Sequence, residues 1–238
     1  MSVVFLAHRS ILPPAQRALW PELEPASALG FVLYGGTAVA LHLGHRASED
    51  FDFFSDRQLD ETQLYRSLRF LDRSKVIQRE PDTMTVLVPG EATADRHVKV
   101  SFFGGVGFGR YSGPDVTEDG VLQVAGLDDL LATKCAVIMQ RIELKDYLDI
   151  IALLEAGVSL ERGLGIAAEM YGGRFSPQES LRTMTYFEGG DLKLLSAGQR
   201  TMLRGAAREI RAIPKVAATE RALALPETEA AKLLRAHR

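Results

Sequence analysis

Two short stretches carry residues whose types and spacing suit chemistry on phosphates. The first is Leu33-Tyr-Gly-Gly-Thr37, an apolar run that ends in Gly35 and Gly36 and is followed at once by a helix-forming segment. Glycines let a ligand approach the backbone closely and allow unusual φ/ψ. The first turn of a helix offers unpaired N–H groups and a positive dipole end, both suited to phosphate. Thr37 is expected to cap that helix or to donate its hydroxyl to a phosphate oxygen. The second stretch is Asp50-Phe-Asp-Phe-Phe54. Alternate residues of a strand share a face, so Asp50 and Asp52 point one way and Phe51 and Phe53 the other. Two carboxylates that close repel unless a cation sits between them. Mg²⁺ suits the place, because it takes one or two carboxylates plus substrate phosphates. A phosphate cradle followed by paired carboxylates is what phosphoryl or nucleotidyl transfer needs. Either element alone says little, since a lone Asp-x-Asp is usually a solvated strand or turn. The combination carries the reading.

The elements that must position these residues follow from periodicity. Residues 30–34 and 51–54 read as buried strands, with a short helix over 37–43 between them. A helix is expected over 11–23, opened by Pro13-Pro14, and another over 55–71 with leucines at helical spacing. Strands are expected at 75–79, 83–88, 97–103 and 121–125, with turns at Pro81-Asp82 and Pro89-Gly90. After Gly126 strand signals vanish and a helical period takes over. The expectation is a mixed α/β domain over residues 1–125 and a helical domain over 126–238.

Composition bounds the answer. The chain has 238 residues, 46% hydrophobic and 25% charged, with a net charge of −3. Its mean hydropathy is −0.01. High apolar content with low net charge excludes disorder as the main state. The charge balance excludes nucleic-acid binding driven by the whole surface and leaves only a local basic patch. Cys135 is the single cysteine, so no internal disulfide forms and a Cys-rich zinc site is excluded. Its apolar flanks read as a helix with a buried thiol. The start reads as no signal peptide, and no stretch approaches the ~20 apolar residues of a membrane span. A cytoplasmic protein is expected.

A second charged constellation lies in residues 127–157. On one continuous helix, Lys134, Arg141 and Lys145 would share a face. Asp149 would pair with Lys145 four residues earlier. The spacing alone fits a solvated charged face. Lys134, however, sits in Leu-Leu-Ala-Thr-Lys-Cys-Ala-Val-Ile, an apolar setting in which an ammonium needs a specific anionic partner.

Taken together, these motifs resemble the DNA polymerase β-like nucleotidyltransferase superfamily, and within it the AbiEii/AbiGii-type nucleotidyltransferase toxins. The resemblance rests on Gly-Gly-Thr-Ala at 35–38, His-Arg-x-Ser at 45–48 and Asp-Phe-Asp-Phe-Phe at 50–54. Lys134 followed by Arg141 and Lys145-Asp146 resembles the family's later motif. The resemblance implies an α+β fold, a small mixed sheet with flanking helices, followed by a helical domain that completes the cleft. It implies Asp50 and Asp52 as Mg²⁺ ligands and catalytic residues, with Lys134 on nucleotide phosphate. Gly35, Gly36, Thr37, Arg46, Arg141, Lys145 and Asp146 would shape the nucleotide site. For Arg46 two readings stand, a triphosphate contact or a structural pair with Glu49 or a backbone carbonyl. His45 and Ser48 read as structural, and His42 as packing or surface. One departure matters. Superfamily enzymes usually carry a third carboxylate on a later strand, as metal ligand or base. On the strand 98–103 Ser101 occupies that place, and Asp95 and Asp146 are the candidate substitutes. Lys99 shares Ser101's side-chain parity, facing either the site or solvent.

The C-terminal part carries one more signal. In Leu181–Phe187, which resembles a family segment, Tyr186 and Phe187 read as core. Arg200, Arg204, Arg208 and Arg211 recur at helical spacing. They form either a solvated face or a stripe that tracks an RNA backbone. The amphipathic tail 223–238 is expected to dock on its own domain or on a partner helix. The expected activity is Mg²⁺-dependent transfer of an NMP from an NTP to an acceptor hydroxyl. The resemblance implies tRNA as acceptor and a toxin role in a toxin–antitoxin or phage-defence system, with a cognate antitoxin. Two alternatives stand beside it: a small-molecule nucleotidyltransferase of the antibiotic-modifying type, and a non-catalytic nucleotide- or protein-binding module.

Overall fold

The structure, a computed structural model, describes residues 2–90 and 97–237. Asp95 lies outside the described residues. The chain divides into two compact units, Met1–Gly126 with Thr219–Arg238, and Leu127–Ala218. The last twenty residues, expected with the helical domain, therefore return to the first unit. Among the described residues no helix is long and apolar enough to cross a membrane.

In the first unit the strands are β1 (Val4–Phe5), β2 (Val32–Tyr34), β3 (Asp50–Phe54), β4 (Lys75–Glu80), β5 (Thr83–Pro89), β6 (His97–Phe103), β7 (Asp115–Thr117) and β8 (Gln123–Val124). They form one mixed sheet in the order β1-β7-β8-β2-β3-β6-β5-β4. β2 runs antiparallel to β3, and β3 runs parallel to β6. The two strands not expected from the sequence, β1 and β7, pair in parallel and are too short to show alternation. The helices are α1 (Pro14–Leu19), α2 (Glu24–Ala28), α3 (Gly35–Leu43) and α4 (Glu61–Ser67).

Two helices expected as long single elements are broken. Within 11–23, α1 gives way to a 3-10 turn at Trp20–Leu23. Pro21 lacks the N–H that a continuing α-helix requires. Within 55–71, α4 starts only at Glu61, where Asp60 accepts from the Gln63 N–H as an N-cap. The preceding residues run as loop, with Ser55 N–H donating to the Phe103 carbonyl at 2.9 Å.

Phe51, Phe53 and Phe102 are fully buried. The Phe53 and Phe102 rings stack at 5.4 Å. This apolar layer fixes the register of β3 on β6, since a one-residue slip would exchange the phenylalanines for the aspartates. α3 is buried nearly all round through Thr37–Leu41 and ends at Gly44, whose φ of 64° makes a left-handed cap.

The second unit holds α5 (Leu127–Val137), α6 (Leu144–Glu155), α7 (Leu160–Tyr171), α8 (Pro177–Thr185) and α9 (Ala197–Glu209). The continuous helix expected over 127–157 is interrupted between Val137 and Leu144. Cys135 is buried, as expected, and burial pushes its thiol up to about 12. Phe187 is buried, but Tyr186, also expected in the core, is exposed. The final helix, α10 (Glu227–His237), packs on β1 and β7 of the first unit.

Candidate active site

The bend and the acid row meet on one face of the first unit's sheet. Tyr34 of β2 lies opposite Asp52 of β3, so the chain enters α3 directly beside that carboxylate. Gly35 has φ 74°, and a Cβ there would stand 2.8 Å from Asp52 Oδ2. Asp52 thus rests against the first residue of α3, where only glycine fits. Asp50 and Asp52 are partly exposed while Phe51 and Phe53 are buried, the alternation expected from the sequence.

Thr37 departs from expectation. The helix opens two residues earlier than expected, with Tyr34 rather than Thr37 at the N-cap. Thr37 is 1% exposed. Its hydroxyl donates to the Asp50 carbonyl and pairs with Ser48 Oγ at 2.8 Å. It therefore ties α3 to the start of β3. Ser48 has the structural place expected of it. Arg46 donates from Nη1 to the Ala47 carbonyl at 2.8 Å, and its Nη2 packs so closely on Gly36 that a Cβ there would strike it. Its guanidinium stands at the opening turn of α3. His42 packs inside, its ring stacked on Phe5 at 4.1 Å and its Nε2 3.1 Å from the Ala125 carbonyl.

β6 supplies the row beside the acids. Lys99 lies opposite Asp50, and Ser101 opposite Asp52. Lys99 Nζ is 2.8 Å from Asp50 Oδ2, with the two side chains 39% and 36% exposed. Ser101 is buried. Parity with Ser101 left Lys99 facing either the site or solvent, and the ion pair with Asp50 puts it on the acid face.

The later constellation lies wholly in the second unit and is rearranged relative to expectation. Lys134 and Asp146 are twelve positions apart, about 18 Å along one continuous helix. The break after Val137 lets them meet. Lys134 Nζ lies 2.7 Å from Asp146 Oδ1 and 2.6 Å from Asp149 Oδ2, and all three residues are buried. Arg141 Nε bonds Asp146 Oδ2 at 2.9 Å from a half-exposed position. Asp149, expected to pair with Lys145, is held by Lys134 instead, while Lys145 bonds Glu143 at 2.9 Å. Burial alone would raise the Asp146 pKa, but the hydrogen bond from Arg141 and the charge of Lys134 outweigh it and hold the carboxyl below its usual range.

The arginine stripe is also interrupted. Arg200 and Arg204 sit over the Phe187 ring at 5.7 and 5.0 Å. Arg200 Nη2 donates to the Lys193 carbonyl. α9 ends at Glu209, so Arg211 lies beyond it.

The acid row fits a divalent ion of limited demand. Among the described residues no group of three or more His, Cys, Asp or Glu side chains is placed to cage a metal. Mg²⁺ needs no cage: one or two carboxylates suffice when phosphates and water complete the octahedron. Asp50 and Asp52, which share one face of β3, would be the carboxylates of such a set.

A profile of the family described as nucleotidyl transferase AbiEii toxin, Type IV TA system, matches residues 18–202. The chain belongs to this family. The match includes the diglycine bend, the acid row and the Lys134 cluster. An uncharacterized protein of Aquifex aeolicus (strain VF5) is 32% identical over 134 residues, 54% of this chain. The chain spans 61% of that relative's length. Among solved structures, the nucleotidyltransferase toxin MenT4 from Mycobacterium tuberculosis H37Rv matches with a TM-score of 0.58 at 12% identity, covering 94% of this chain and 92% of that one. At that identity the likeness shows the fold, a mixed sheet with helices. The matched family is one of nucleotidyl transferases.

Proposed function

We propose that the protein is a metal-dependent nucleotidyltransferase that moves an NMP from an NTP to an acceptor hydroxyl, acting as the toxin of a type IV toxin–antitoxin system. The observation that supports this most directly is the contact of Asp52 with Gly35, which brings that carboxylate to the first residue of α3, two positions along β3 from Asp50. Asp50 and Asp52 would hold Mg²⁺, which when bound neutralises charge on the phosphates. The Gly35 and Gly36 amides and Arg46 at the same turn orient the phosphate chain. An acceptor hydroxyl then attacks the α-phosphorus and gives up its proton to solvent water; the new P–O bond forms as the α–β bridging P–O bond breaks, and pyrophosphate leaves with that electron pair. In the second unit, Lys134, Arg141, Lys145 and Asp146 are proposed to serve nucleotide handling. Arg141 and Lys145 offer the half-exposed cations, while Lys134 braces Asp146 and Asp149. tRNA is the proposed acceptor. Arg204, Arg208 and Arg211 of the stripe are exposed, and a cytoplasmic setting fits such a substrate.

The test incubates the protein with each labelled NTP, Mg²⁺ and total tRNA, beside Asp52→Ala. Expected is label on tRNA that falls at least a hundredfold in the variant. Label on small hydroxylated compounds but not on RNA would move the assignment to the antibiotic-modifying type. A second reading has a specific observation behind it: Ser101, not a carboxylate, faces Asp52. NTP binding with no transfer to any acceptor would favour that non-catalytic binding module.

A further inference from the structure

The acid face carries a positive charge that the proposed chemistry has not used. Lys99 sits on β6 two residues before Ser101, on the same face of the sheet. Its ammonium reaches Asp50 across the parallel β3–β6 pair at 2.8 Å. Both partners are more than a third exposed, so the pair adds little to stability. Its consequence is local charge. Asp50, Asp52 and Lys99 together carry a formal charge of about −1, before Arg46 at the neighbouring turn is counted, where the two carboxylates alone would carry −2. Two-metal sites clamp the attacking and leaving oxygens with a pair of cations about 4 Å apart, and need carboxylates to bridge and flank them. Here Ser101 removes one such ligand and Lys99 already occupies another.

We propose that Lys99 is a built-in cation of this site: it neutralises Asp50 from the neighbouring strand, so the carboxylate pair takes up one divalent ion rather than two. Lys99 is a positioning residue for that ion. The inference rests on the reading of Asp50 and Asp52 as metal ligands. A second cation need not be recruited, because one is supplied by the chain, and it can turn from Asp50 toward a phosphate oxygen when the triphosphate arrives.

Mn²⁺ binding to the full chain without nucleotide, counted from the EPR signal of the free ion at low salt, tests this apart from turnover. The wild type should bind one Mn²⁺ per chain. Lys99→Met removes a competing cation and should tighten that binding at least threefold, with the gain shrinking as ionic strength rises. Lys99→Arg should restore wild-type affinity. Lys99→Gln makes the same charge change should the Met variant fold poorly. Two ions of similar affinity in the wild type, or unchanged or weaker binding in both neutral variants, would overturn the proposal. If Asp52→Ala abolishes binding while the Lys99 variants leave it unaltered, only the role of Lys99 is lost. If the wild type binds no Mn²⁺, the reading of the acid row as a metal site is lost with it.

Discussion

Gly35 is held to its identity twice over, by a φ of 74° and by the Asp52 carboxylate where a Cβ would stand. An alanine there carries about 1–2 kcal/mol of left-handed strain and must also push Asp52 away. Gly35→Ala should therefore lower stability modestly in a denaturant titration and cut label transfer at least tenfold. Wild-type transfer by that variant would show that the position of Asp52 does not matter. Lys134 answers to a different constraint. It compensates two buried carboxylates, Asp146 and Asp149. Removing one partner of such a group leaves buried charge unpaired, at a cost of about 3–5 kcal/mol. Lys134→Met should lower the unfolding free energy of the second unit by about that amount, read by urea denaturation. A variant as stable as wild type would mean that the cluster is not structural. Because the carboxyl of Asp146 is held below its usual range, its contribution is present at neutral pH. It is lost as pH falls through that depressed value.

At the scale of elements, α3 joins the candidate site to the rest of its unit. Its first turn meets Asp52, its third residue bonds β3, and His42 near its end stacks on Phe5 of β1. Burial lowers the His42 pKa from 6.5 to about 4, against a smaller upward pull from the Ala125 carbonyl. The folded state keeps this ring neutral while the unfolded chain takes up a proton, so the first unit should lose stability as pH falls from about 6.5 to about 4. The loss should be about 2 kcal/mol, discounted for partial exposure. It should disappear in His42→Gln, compared by thermal unfolding at pH 7 and pH 4.5. Elements of this kind were legible where pattern and chemistry agreed. The alternation of Asp50 to Phe54 gave a face, and Gly35-Gly36 gave a bend. Long helices were not legible. The periodicity of residues 127–157 is genuinely helical on both sides of the break, yet no Gly or Pro marks it. What selects the break is tertiary: Lys134 can reach Asp146 only if the chain folds back. Lys99 escaped for a related reason, since parity places a side chain on a face but does not name the strand beside it.

At the scale of the whole molecule, the first unit is discontinuous in sequence, and its closing segment is held by side chains that ordinary patterning treats as loop residues. Arg110 is buried and donates from Nη1 to the carbonyls of Ala222 and Ala224 at 3.1 and 2.8 Å. Asp56 accepts from the Leu223 N–H. Gln123 of β8 both accepts from and donates to Leu225. Between these clasps Leu223 and Leu225 are buried, and beyond them Leu234 of α10 lies against Gly120. A composition change at Gly126 marks where one texture ends, but it carries no sign that the chain returns, because the return depends on three polar side chains more than a hundred positions upstream. If the segment is part of the fold rather than a loose tail, Arg110→Ala should cost about 2 kcal/mol. It should also speed hydrogen exchange in β7 and β8, while exchange in α5 to α9 stays unchanged. Exchange in β7 and β8 that ignores the substitution would make the clasp incidental. A fusion or truncation that displaces residues 219–238 should therefore weaken the very sheet on which Asp50 and Asp52 are carried.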